Sequence, residues 1–228
     1  ACAATSALAD FTSQLSERGD GAIRWALDWA LTGDNAAALV SEISIAGKLV
    51  KDSLLIELAE DYPGDPGIVV ALLLNRVTLT KGQALYLPAG NMHAYIRGLG
   101  IELMAASDNV LRGGLTSKHV DVPELLSVVS DKVVPVPILE PTQVREGIDL
   151  FVPDVPDFVL AHVVVSPEMT PAESISLTRH AIVTTTSGNV TIHGAQSSIE
   201  LSQGQNAFIS AEERSLSFTG EGELFIAL

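Results

Sequence analysis

Cysteine is almost missing: the 228 residues contain one, Cys2. No disulfide can form within the chain, so the fold does not depend on an oxidising compartment and a cytoplasmic setting is expected. Long apolar runs are lacking as well. The longest, Ile68 to Leu74, falls far short of the roughly 20 residues that span a bilayer, and no basic, apolar, small-residue pattern opens the chain; no membrane partner is expected. Positive charge is scarce, with 13 Lys and Arg against 28 Asp and Glu and a net charge of −15, which speaks against a nucleic-acid partner. Apolar residues are plentiful at 47%, enough for one large domain or two small ones with real cores. The chain opens at Ala1 without a methionine, in a stretch that reads as the middle of something, so a processed or truncated product is expected.

Charge is unevenly spread. From Arg76 to Lys118 there are five basic residues (Arg76, Lys81, Arg97, Arg112, Lys118) and two acidic ones (Glu102, Asp108), a positive island in an acidic chain. An anionic small molecule would be steered there.

The first sixty residues read as helix. Leu8, Phe11 and Leu15 recur at helical spacing, Ile23 to Trp29 form a second segment, and Asp34 is placed to cap a third that carries Leu39, Val40 and Ile43, with Gly47 as a weak interruption before Leu54 to Leu58. Two prolines and two glycines in Asp61 to Gly67 then break the pattern. Beyond it come short β-branched runs at Ile68 to Leu74, Val77 to Leu79, Ala84 to Leu87 and Ile101 to Met104. A proline-bounded connector with the helix-like stretch Glu124 to Val129 is next, and after it eight strand-like runs from Phe158 to Leu228. Short strands at close spacing predict a mainly β chain of sandwich or barrel type with an N-terminal helical segment. A faint repeat aligns Leu79 to Ala89 with Leu201 to Ala211, setting Gly82 and Gly204 at equivalent turns and implying two related β-units. Only the first copy runs on into a histidine, His93.

His93 to Met104 has the pattern of a β-hairpin turning at Gly98-Leu99. That register gathers Ala94, Ile96, Ile101 and Leu103 on one face and His93, Tyr95 and Glu102 on the other. His93 and Glu102 then lie diagonally, about 7–8 Å apart, which leaves room for a small substrate between an imidazole-bound metal and a carboxylate. Arg112 before Gly113-Gly114 could reach a ligand where the backbone comes close, and Lys118 suits a phosphate. The same residues also admit a plain structural account: His93 in a turn, Glu102 on an exposed strand, Asp108 paired with Arg112, and Lys118 solvated.

The run Tyr86-Leu-Pro-Ala-Gly-Asn-Met-His93, continuing through Ala94-Tyr-Ile-Arg-Gly-Leu-Gly-Ile-Glu102 to Ser107-Asp-Asn-Val-Leu-Arg-Gly-Gly-Leu-Thr-Ser-Lys118, closely resembles the signature of type I mannose-6-phosphate isomerases. The resemblance is strong from about Glu60 to Leu126 and loose elsewhere; Gly113 stands where alanine is common and Ser117 where proline is usual. It implies a zinc-dependent aldose–ketose isomerase acting on a phosphorylated hexose, with cupin-type (jelly-roll) β-domains. On that pattern residues 1–60 are a helical insertion, 61–130 the second part of the catalytic β-domain, and 131–228 a second, degenerate jelly roll. His93 resembles the zinc-ligating histidine, Arg112 the active-site arginine, Glu102 a proton-transfer residue, Lys118 a phosphate contact and Tyr95 a pocket-lining tyrosine.

One departure stands out: the family's zinc site is completed by a Gln-x-His pair and a glutamate, and no Gln-x-His occurs in this sequence. Catalytic zinc takes three protein ligands, and His93 is one; His119, His162, His180 and His193 are expected to be solvated or packed. The departure leaves two expectations. Either the chain is the C-terminal part of an isomerase whose missing N-terminal part supplies the remaining ligands, or it is a short relative serving as a non-catalytic sugar-phosphate-binding or assembly module. A cupin-type dioxygenase ranks below both, having no evident use for Arg112 and Lys118.

Overall fold

A computed structural model describes residues 6–107, 109–168 and 174–228. Cys2 and Asp108, the residue expected to pair with Arg112, lie outside them. The contacts divide the chain into two units, one formed by residues 1–78, 87–96 and 108–136, the other by 79–86, 97–107 and 137–228.

The first unit is helical: α1 (Ala7–Glu17), α2 (Ala22–Thr32), α3 (Ala36–Val50), α4 (Ser53–Asp61), α5 (Gly67–Leu72) and α6 (Val122–Val128). Caps are explicit. Ser6 Oγ accepts from the Ala9 N–H at 3.1 Å, and Glu42 on α3 reaches across to accept from the Ala7 and Leu8 N–H groups at 3.1 and 2.9 Å. Asp52 and Asp121 cap α4 and α6, whereas Asn35, not Asp34, stands at the start of α3. Phe11, Trp25 and Trp29 stack around the α1–α2 contact, and Leu39, Val40, Ile43, Leu55, Leu58, Ile68 and Val69 fill the centre. Gly47 does not interrupt α3; a Cβ there would lie 2.7 Å from the Cβ of Leu55, so its missing side chain sets how closely α4 packs.

The run expected as a strand at Ile68 to Leu74 is the helix α5. Ile68, Val69 and Val70 are all buried, and a short apolar run packed among helices satisfies its backbone internally, since the described residues of this unit include no strand to pair with.

In the second unit, β1 (Ala84–Leu85) pairs with β2 (Ile138–Leu139). An eight-stranded antiparallel sheet holds β3 (Thr142–Arg145), β4 (Ile148–Phe151), β5 (Leu160–Val165), β6 (Ser174–Ser176), β7 (Ala181–His193), β8 (Ser198–Ser202), β9 (Asn206–Ile209) and β10 (Ser215–Ala227). Its path is β3-β4-β5-β10-β7-β8, with β6 on β10 and β9 on β7. Alternate residues point inward and build a solid apolar core of Ile148, Val163, Val183, Val190, Ile192, Leu216, Phe218, Leu224 and Ile226. The two runs expected at Ala181 to Thr186 and Asn189 to His193 are one strand, and so are those at Ser215 to Phe218 and Leu224 to Leu228; β7 and β10 pair through their glycines across a bulge at Glu223/Leu224. Val77 to Leu79 and Ile101 to Met104 form no strand.

The repeat is visible in atomic detail. Gly82 and Gly204 have φ of 88° and 82°. In the first turn the Thr80 N–H donates to Gln83 Oε1 at 2.9 Å, and in the second the Ser202 N–H donates to Gln205 Oε1 at 2.7 Å. Each turn closes with a backbone bond of 3.0 Å, Gln83 to Thr80 and Gln205 to Ser202. Among the described residues no helix is long and apolar enough to cross a membrane.

Candidate active site

The segment Pro88 to His93 is held by a turn and by α6. The Asn91 N–H donates to Pro88 O at 3.2 Å, and the Ser130 N–H, just past α6, donates to Gly90 O at 2.9 Å. Met92 packs towards Leu27, Val70, Leu125 and Val129. With Met92 partly buried in this way, His93 is turned outward and exposed. Its Nδ1 lies 3.0 Å from Asn91 O. A carbonyl only accepts, so Nδ1 carries the proton and Nε2 keeps its lone pair, the tautomer a metal ligand needs. Tyr95 stands beside it, the two rings edge to face at 6.0 Å.

Arg112, partly buried, opens a loop that docks on the start of α5. Gly114 has φ of 116°, and a Cβ there would lie 2.6 Å from Gly67 Cα and 2.8 Å from Asp65 Oδ1. Only glycine allows this approach. Asp65 Oδ1 is fixed by accepting from the Gly67 N–H at 2.7 Å. A Cβ on Gly113, by contrast, would meet the methyl end of Met92. Lys118 is exposed, its N–H donating to Thr116 Oγ1 at 3.1 Å.

His93, Tyr95, Arg112 and Lys118 thus belong to one unit, and Glu102 to the other. The expected hairpin from His93 to Met104 does not form: there is no strand in this stretch, and Ile96 and Ile101 are exposed. A two-stranded ribbon is marginal unless a third element covers its apolar face, and the division between the units falls between Ile96 and Arg97, ahead of its turn.

Three of the other four histidines are engaged structurally. His162 is buried with Nε2 2.8 Å from Glu223 Oε1; His180 Nδ1 accepts from the Ala211 N–H at 3.2 Å; His193 bonds Ser198 and Thr219. His119 is exposed. Among the described residues no three His, Cys, Asp or Glu side chains converge as a metal site, so His93 fits a metal ion as one ligand and this set of side chains does not complete its shell. The contact that sequence reasoning missed is the Lys81–Glu223–His162 cluster; Lys81 lay within the positive island, but nothing local tied it to Glu223.

No protein-family model matches the chain. It is 38% identical over 168 residues to the mannose-6-phosphate isomerase of Escherichia coli, a match that takes in 73% of this chain and 42% of that enzyme. To the mannose-6-phosphate isomerase of Homo sapiens it is 34% identical over 202 residues, 82% of this chain and 47% of the other. The apo form of mannose 6-phosphate isomerase from Salmonella typhimurium superposes with a TM-score of 0.81 at 28% identity, over 95% of this chain and 56% of that one. The chain therefore spans about half the length of the relatives it matches.

Proposed function

Because the chain belongs, over the part that it spans, to the mannose-6-phosphate isomerase family, whose solved members have the cupin fold, we propose that it carries the latter part of an active site interconverting mannose 6-phosphate and fructose 6-phosphate. The match to the Escherichia coli enzyme carries this proposal: an alignment that takes in 73% of a 228-residue chain necessarily includes residues 86–118. Further support comes from solved variants of the Salmonella enzyme in which a glutamate and an arginine ten positions apart are each replaced by alanine, the spacing of Glu102 and Arg112 here. Residues 1–60 would be the helical insertion, 61–130 the second part of the catalytic β-domain and 131–228 the second β-domain of a cytoplasmic enzyme.

The reaction moves a proton between C2 and C1, the carbonyl carbon and its neighbour, through an enediol, while a second proton passes between O2 and O1. Glu102 takes the proton from one carbon and returns it to the other. Arg112 balances the charge that develops on the enediol oxygen. Lys118 holds the phosphate as a mobile point charge, and Tyr95 walls the pocket beside His93. A zinc ion would polarise the sugar oxygen; His93 Nε2 would be one ligand for it, and the others would come from sequence outside these 228 residues, in keeping with a chain that spans 42–47% of its relatives.

The test joins this chain to the preceding part of the Escherichia coli enzyme and follows fructose 6-phosphate in a coupled assay. The hybrid is expected to turn over, and its Glu102→Gln variant to keep its metal and lose turnover. A Glu102→Gln hybrid with undiminished turnover would remove Glu102 from its role. The chain alone is expected to retain zinc weakly, to turn over negligibly, and to bind mannose 6-phosphate better than mannose; equal binding of the two sugars would remove the phosphate site.

A further inference from the structure

The two copies of the repeat are held to their surroundings in different ways. The second turn, Ser202 to Gln205, is stitched into β7 through its backbone: Gln203 N–H to Gly188 O at 3.0 Å, Gly204 N–H to Thr185 O at 2.8 Å, and Thr185 N–H to Gln205 O at 3.0 Å. The first turn, Thr80 to Gln83, has the same internal bonds, yet among the described residues its backbone makes none to the sheet. It leads into a ladder of only two residues, Ala84–Leu139 and Leu85–Ile138, extended by the Tyr86 N–H to Pro137 O at 3.1 Å. A ladder that short is marginal by itself.

A side chain supplies the missing tie. Lys81 Nζ lies 3.0 and 3.2 Å from the two carboxylate oxygens of Glu223 on β10. Glu223 is already fixed. His162 Nε2 on β5 donates to its Oε1 at 2.8 Å, the Thr186 hydroxyl on β7 lies 3.3 Å from its Oε2 and 3.2 Å from the Glu223 backbone oxygen, its one proton shared between them, and the His162 ring stacks on Phe225 at 4.7 Å. Burial would raise the Glu223 carboxyl, but the bonds from Lys81 and His162 outweigh it and hold the group below its usual range. Only the lysine end loses freedom when the pair forms. Both partners line a cleft of about 710 Å³, however, so water screens them and the expected effect is modest.

We propose that Glu223, oriented by His162 and Thr186, is a positioning residue that grips Lys81 and thereby fixes the turn and strand from Thr80 to Tyr86, which lead directly into the Pro88–His93 segment. Its consequence for catalysis rests on the isomerase function proposed above; the anchoring itself does not.

Amide hydrogen exchange on the 228-residue chain tests it without any need for turnover. In Lys81→Met, exchange at the Gln83 and Tyr86 amides is expected to quicken about fivefold, while Val190 and Phe218 keep the wild-type rate. Lys81→Arg, which retains the charge and the donors, is expected to restore slow exchange to within about twofold, and the ring resonances of His162 should shift in the methionine variant only. Unchanged exchange at Gln83 and Tyr86, equal acceleration at Val190 and Phe218, or an arginine variant as fast as the methionine one would each overturn the proposal. Loss of turnover in the hybrid enzyme with normal exchange here would count against the proposed function alone.

Discussion

Gly113 and Gly114 are neighbours in the candidate phosphate loop, and alanine at the two positions is expected to have opposite outcomes. At Gly114 the backbone has φ of 116°, a region that side chains avoid, and holding alanine there costs roughly 1–3 kcal/mol. The added methyl would also lie 2.6 Å from Gly67 Cα and 2.8 Å from both Gly67 N and Asp65 Oδ1. Those atoms cannot yield separately, because Gly67 N–H is bonded to Asp65 Oδ1 and the next residues, Ile68 and Val69, are fully buried. Displacing the start of α5 adds roughly 1–3 kcal/mol, so Gly114→Ala is expected to destabilise by about 4 kcal/mol in all. For a chain of this size that lowers the melting midpoint by roughly 8–16 °C. At Gly113 the new methyl meets the end of Met92, a flexible side chain that can swing aside for less than about 1 kcal/mol. Thermal unfolding followed by circular dichroism measures both variants, and titration with mannose 6-phosphate reads the loop: binding is expected to weaken about tenfold in Gly114→Ala through displaced Arg112 and Lys118, and less than twofold in Gly113→Ala. Equal melting points for the two variants, or a Gly114→Ala protein that melts and binds like wild type, would refute the close-approach argument.

Single sites elsewhere carry further expectations. Thr185 is fully buried and, among the described residues, its hydroxyl has no hydrogen-bond partner, so the isosteric Thr185→Val should stabilise by about 1 kcal/mol in urea unfolding; a lower midpoint would mean that the hydroxyl is satisfied. The Asp52 carboxyl is held below its ordinary range first by the Leu55 N–H and then by Arg76. Its contribution is therefore present above the ordinary carboxylate range and lost as pH falls through the depressed value. Asp52→Asn should flatten the acid limb of the pH–stability curve, and an unaltered limb would contradict this. In the hybrid enzyme Arg112→Ala should lower kcat by about a hundredfold and Lys118→Ala should chiefly raise KM, a pattern that reversed values would exclude.

Where structure depends on neighbours in sequence, the reading from residues succeeded for most elements, the Asp34 cap and the Gly47 interruption being the exceptions. The turns at Gly82 and Gly204 need a positive φ and a glutamine three residues after the capped N–H, and all of that sits within four residues. The helical start was legible from the spacing of Leu8, Phe11 and Leu15, and α6 from its proline-bounded run. Longer-range decisions were not legible. Ile68 to Leu74 reads equally as buried strand or buried helix, and the helices around it decide. The alternation in His93 to Met104 fits a hairpin, but alternation makes a strand only where something covers its apolar face.

The candidate site divides in the same way. The sequence alone determined which groups are available, an imidazole, a guanidinium, an ammonium, a carboxylate and a phenol within 26 positions from His93 to Lys118, because chemical identity needs no fold. It also determined that the loop after Arg112 is glycine-rich. Only the tertiary structure decided the rest: that Gly114 is obligatory because Gly67 lies against it, and that Lys81 is gripped by Glu223, 142 residues away. Each of these is a contact between groups whose separation in space is set by packing of the cores beneath them, and no local pattern of residues carries that distance.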